Sequence, residues 1–151
     1  MNIEISTFAE VCLAFIAIVS AIIAWQQYTA NRERLRLELY DKRFKIYHVI
    51  INFIYKTAYS GESPKNDGYF DFITACNEVQ FLVPNTDAQV KNAKKIIDEL
   101  KLQQRRLERR NLPEDKRNEY IDRICDLEKE LENSGSDLTK AFSEYLKFNK
   151  F

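Results

Sequence analysis

The chain has 151 residues, room for one ordinary domain, and is 45% hydrophobic with only three Gly and three Pro; together with plentiful Leu, Ile, Lys, Glu, Arg and Gln this predicts an all-α fold. Its 23 Lys and Arg equal its 23 Asp and Glu, a balance that speaks against a dedicated nucleic-acid or polyanion binder. Cys12, Cys76 and Cys125 are odd in number and contain no CxxC pair, which speaks against a disulfide framework or a zinc site and predicts buried thiols in a reducing compartment.

Val11 to Trp25 reads VCLAFIAIVSAIIAW, and the apolar character extends from Ile5 to Tyr28. These 24 residues make about 36 Å of helix at about 1.5 Å each, against a hydrocarbon layer of about 30 Å. Residues 5–28 are therefore expected to form a transmembrane helix in contact with the lipid bilayer. Trp25 and Tyr28 stand where an aromatic belt meets the headgroups, and Arg32, Arg34 and Arg36 follow, whereas no Lys or Arg precedes residue 30. The positive-inside rule then leaves the N-terminus outside and the rest of the chain in the cytoplasm. A buried helix of a soluble protein is the competing reading. A cleaved signal peptide requires a basic leader, and MNIEISTFAE has none.

Glu10 is the costly residue of this segment, because a carboxylate near the membrane boundary must reach water, take a proton or find a partner. Glu10, Ala14, Ala17, Ala21, Ala24 and Tyr28 are spaced 4, 3, 4, 3 and 4, a stripe of small residues on which helices can approach closely. One reading makes this stripe a homo-oligomer interface; the other is that alanine is simply common in membrane helices.

The remainder, 29–151, is expected to be a cytoplasmic domain of four or five antiparallel helices, at about 30–58, 69–83, 87–111, 113–133 and 137–148. In the first, Tyr40, Phe44, Tyr47, Ile51, Ile54 and Ala58 form an apolar stripe widened by Leu39, Ile46, Ile50 and Phe53. Arg34 with Glu38, Glu38 with Lys42 and Asp41 with Lys45 have ion-pair spacing on the opposite face. SGESPKNDG at 60–68 reads as a loop. Tyr69, Ile73, Cys76 and Val83 line the second helix, which Pro84 ends. Thr86 and Gln89 suggest a capping box for the third, whose seam is Val90, Ala93, Ile97, Leu100, Gln104 and Leu107. That seam should zip against Tyr120, Ile124, Leu127 and Leu131 of the fourth. SGS at 134–136 reads as its end, with Leu138, Ala141, Phe142, Tyr145, Leu146 and Phe148 in a short last helix.

Little in the chain points to chemistry. His48 is the only histidine; no ligand spacing surrounds it, so a partly buried structural role is expected. No GxSxG, Walker A, GxGxxG or HExxH pattern occurs, so the expectation is a protein that is not an enzyme and that holds no cofactor and no metal. The densest basic run, KLQQRRLERR, presents Arg105, Arg106, Arg109 and Arg110. It reads either as a solvated helix face or as a docking patch for phosphate oxygens, without interleaved aromatics to stack bases.

Leu37, Leu39, Tyr40, Asp41, Lys42, Arg43, Phe44, Ile46 and Tyr47, within LRLELYDKRFKIYHVI, carry an L-x-L-[FY]-[DE]-[KR]-R-[FY]-x-[IV]-Y pattern. It resembles one in small, uncharacterised bacterial single-pass membrane-anchored proteins. Phe72, Ala75, Glu78, Phe81 and Leu82 are similar to that group's second helix, although the interval from Ala75 to Phe81 departs from its pattern, and FSEYLKF is similar to its C-terminal signature. The resemblance brings no assigned activity with it, and the expected location is the bacterial inner membrane. The expected function is a membrane-anchored scaffold that binds its own copies and a cytoplasmic protein partner. The alternative is an oligomeric membrane-perturbing effector, such as a toxin or phage-defence component, built on the Glu10-bearing helices.

Overall fold

The computed structural model describes residues 2–60, 66–109 and 112–147. Its elements are α1 (Asn2–Ser60), α2 (Asn66–Leu82), α3 (Asp87–Leu107) and α4 (Glu114–Leu146), with no strand among the described residues. α1 runs for 59 residues because nothing in it removes a backbone donor or favours a left-handed turn: it holds neither Gly nor Pro. The chain divides into two compact units between Leu39 and Tyr40, inside this helix.

In the first unit α1 leaves its apolar side chains open, and from Glu10 to Leu39 every residue is exposed. The second unit has a continuous core. Ile46, Ile50, Ile51, Phe53 and Ile54 from α1 are buried with Phe72, Ala75 and Val79 from α2, Val90, Ile97 and Leu100 from α3, and Leu127, Leu131, Leu138 and Phe142 from α4. Each Val, Leu, Ile or Phe among them contributes about 1.5–3 kcal/mol by leaving water.

Ring contacts and polar ties set the register. Phe53 stacks on Phe72 with centroids 4.7 Å apart, and the Arg43 Nε–H donates to the Leu82 carbonyl at 2.8 Å, so residue numbers rise along α1 as they fall along α2. On α4, Phe142 meets Tyr47 at 5.4 Å, and Glu132 accepts from the Tyr59 hydroxyl at 2.6 Å. Arg123 of α4 grips Glu99 of α3 at 2.7 Å and reaches Glu130 at 3.2 Å. Both of its partners are partly exposed, so the triad adds specificity more than stability.

Several expectations change. SGS at 134–136 does not end a helix; α4 continues through it, and the fourth and fifth helices are one. The reason is packing. Ser134 and Gly135 are buried, and a methyl group in place of the Gly135 hydrogen would lie 3.0 Å from Ile54 Cγ2, so the small residues are where α4 crosses α1. α2 begins at Asn66 rather than 69, α1 extends through Ser60, and α3 stops at Leu107 rather than 111; of the expected 60–68 loop, residues 61–65 lie outside the described residues. Phe148, assigned to the last helix, lies outside them too.

Thr86 precedes α3 but makes no side-chain cap. Its hydroxyl donates back to the Val83 carbonyl at 2.8 Å, because the turn that follows Pro84 leaves that acceptor within reach, and the capping box with Gln89 does not form. Leu39 and Phe44, placed on the buried face of α1, are 42% and 47% exposed; the packed face starts at Ile46, where α2 and α4 arrive. In α2 the core residues are Phe72, Ala75 and Val79, with Tyr69, Ile73 and Cys76 at its edge. Of the three spaced ion pairs only Arg34 with Glu38 closes, at 3.1 Å.

Candidate interaction surfaces

The first surface is the apolar part of α1. A helix assigned to the interior of a soluble protein should be covered by other elements. Here Val11, Leu13, Phe15 and Ile16 are 60–67% exposed, and Trp25 is 70% exposed. α1 is long and apolar enough to cross a membrane, and none of its most apolar stretch is buried among the described residues. Its backbone polar groups are satisfied within the helix, as a hydrocarbon environment demands. Trp25 and Tyr28 lie one turn apart with ring centroids at 6.5 Å, and Arg32, Arg34 and Arg36 are exposed beyond them. Glu10, Ala14, Ala17, Ala21 and Ala24 are likewise exposed, and the helical period brings them to one side.

The second surface is the basic end of α3. Arg105 is exposed, Arg106 lies 6.0 Å from the Tyr120 ring of α4, and Arg109 follows the end of the helix. Arg110 lies outside the described residues. Arg105 and Arg106 occupy the last turn, where cations complement the negative end of the helix dipole. That local role accounts for both residues without a ligand.

The third surface was not evident from the sequence: an open groove of about 810 Å³ between α1 and α2. Ile46, Val49, Ala75 and Leu82 make its apolar floor, Lys42 and Lys45 stand on the α1 wall, and Asp71, Thr74 and Glu78 stand on the α2 wall. Phe81 borders it and is 80% exposed. Phe70 is 82% exposed on the same helix, and three turns separate the two rings, so they share a face. That spacing was the available sequence signal.

The Tyr69 hydroxyl donates to Asp98 at 2.7 Å, and the Lys101 ammonium lies over the Tyr69 ring, 2.9 Å from its centroid. Burial first, and then the bond to Asp98, pushes the Tyr69 phenol up to about 12, while burial lowers Lys101. His48 is exposed rather than partly buried, with its Nδ1 3.0 Å from Asn52 Nδ2, because it stands on the side of α1 away from the core. The cysteines are also not the buried set expected. Cys12 and Cys125 are exposed, on helix faces that no other element covers, and only Cys76 is half-buried, its thiol pushed up to about 12 by burial. Among the described residues no three His, Cys, Asp or Glu side chains are grouped to hold a metal ion.

No family model, no curated protein and no solved structure matches the chain. What the fold and surfaces define is a class: a helical protein with one candidate membrane-spanning helix.

Proposed function

We propose that the chain is a non-enzymatic scaffold of the bacterial inner membrane. Residues 5–28 cross the bilayer once with the N-terminus outside, and the later helices form an antiparallel bundle in the cytoplasm that binds its own copies and a cytoplasmic protein. The observation that carries this reading is the exposed apolar face of α1 from Val11 to Trp25, a surface that water disfavours and lipid covers. The arginines after Tyr28 support the orientation. Confinement to a membrane raises the effective concentration of the bundle, so modest contacts suffice for assembly.

Two of the native cysteines test the topology. In sealed inverted membrane vesicles, a charged maleimide should label Cys125 from the cytoplasmic side and leave Cys12 unlabelled, with Cys12 reacting only after detergent is added. Labelling of Cys12 in intact vesicles, or recovery of the whole chain from the soluble fraction without detergent, removes the proposal.

A further inference from the structure

The groove between α1 and α2 is bordered by charged groups that form no ion pair among the described residues. Lys42, Lys45, Asp71 and Glu78 flank one space, yet none of them has an ion-pair partner among the described residues, whereas Lys91 with Asp87, Arg123 with Glu99 and Lys140 with Asp137 all pair within the chain. Phe81 projects at the rim, 80% exposed, beside an apolar floor that it does not fill.

The charge pattern selects the occupant. Anionic lipid would meet the carboxylates of α2, and a basic peptide would meet the lysines of α1, so each suits only one wall. A second copy carries both walls in matching order. Rotation about a two-fold axis along the groove lays each α1 wall over the partner's α2 wall, cation on anion, twice by symmetry. The heights agree. The Arg43–Leu82 and Phe53–Phe72 contacts fix a register in which Glu78 is level with residue 47, within one helical turn of Lys45.

We infer that this groove is an isologous dimer interface in which each copy's Phe81 enters the other's groove and Lys45 of one copy faces Glu78 of the other. The inference deepens the self-association part of the proposed function and rests on it.

The test uses the full chain, reconstituted in lipid vesicles, with Cys12→Ser, Cys76→Ala and Cys125→Ser as background. Copies carrying Lys45→Cys are mixed with copies carrying Glu78→Cys and treated with a short bis-maleimide. Crosslinked dimer should exceed that of copies carrying exposed Lys129→Cys by about tenfold, the ratio that about 1.4 kcal/mol of preference produces. Energy transfer between labelled copies gives an independent reading. Glu78→Lys should lower it, and mixing Glu78→Lys with Lys45→Glu copies should restore it. If energy transfer shows association but neither the crosslinks nor the charge exchange respond, the groove assignment falls and self-association stands. If no association is seen at any density in the vesicles, both fall.

Discussion

Arg43 and Tyr145 meet at the end of α2, with the guanidinium carbon 5.7 Å from the ring centroid. Each also holds a carbonyl there, Arg43 that of Leu82 and Tyr145 that of Pro84. These carbonyls have no further helical donors, and the turn they enter places Asn85 at φ 71°, a left-handed conformation that Asn tolerates better than most residues. Two segments far apart in sequence thus fasten one turn.

Arg43→Ala should destabilise the folded chain by about 1.5–3 kcal/mol, the range for a hydrogen bond to a charged group, and Tyr145→Phe by about 1 kcal/mol. Because the two side chains touch, the double variant should lose less than the sum. Chemical denaturation in detergent followed by helical circular dichroism measures all three; strict additivity would show that the ring and guanidinium act independently.

Gly135 supports a sharper expectation. In an open helix, replacing Gly with a larger residue gains up to about 1 kcal/mol of helix propensity. Here Ile54 Cγ2 and Tyr55 Cε1 would lie 3.0 and 3.5 Å from the added carbon. Gly135→Leu should therefore lower stability by about 1–3 kcal/mol through overpacking. A rise in denaturation midpoint would mean that α1 and α4 separate without penalty.

Tyr69 sets a pH dependence. Its pKa is about 12 against an ordinary 10.0, so the folded state favours the protonated phenol. The stabilisation is complete below about pH 10 and disappears as pH rises through about 12. Phenolate absorbance should show late-titrating tyrosine signal, to which Tyr59 beside Glu132 also contributes, and Tyr69→Phe should remove the part that titrates at about 12; that variant should lose less stability than the parent as pH rises from about 10 to about 12. A titration unchanged by the substitution contradicts the Asp98 bond.

Gln104 is 8% exposed in the α3 seam, and its Oε1 is buried without a hydrogen-bond partner among the described residues. Leaving an acceptor dry costs about 1–3 kcal/mol. Gln104→Leu, close to it in size, should raise the denaturation midpoint by an amount in that direction; a fall would imply that the amide has a partner in solution.

At Glu10, the scaffold and effector readings part. The proposed function expects overexpression to leave membrane potential intact in the parent and in Glu10→Ala alike, as followed with a potential-sensitive dye. Collapse in the parent with rescue by Glu10→Ala would favour the effector.

How far the sequence revealed these features depends on the range of the forces involved. The seam from Val90 to Gln104 was legible because a helical period is local, and the apolar run from Val11 to Trp25 because its composition has few competing explanations. SGS misled because glycine signals a helix end and a close helix crossing with the same letter. Only the position of Ile54, some eighty residues earlier in the chain, distinguishes them. The groove escaped for a similar reason: Lys45 and Glu78 acquire a common environment only once α1 and α2 are in register. The basic run was legible as composition, but Arg106 turns toward Tyr120, and a charge count carries no direction.

The ring contact between Tyr47 and Phe142 joins segments that are synthesised far apart in time. Residues near Ile50 leave the ribosome long before Leu138 and Phe142, their cover in the finished core. Until the last stretch of α4 is made, that hydrophobic strip has no lasting home, and a translating chain stalled before it would present a surface that chaperones recognise and proteases can cut.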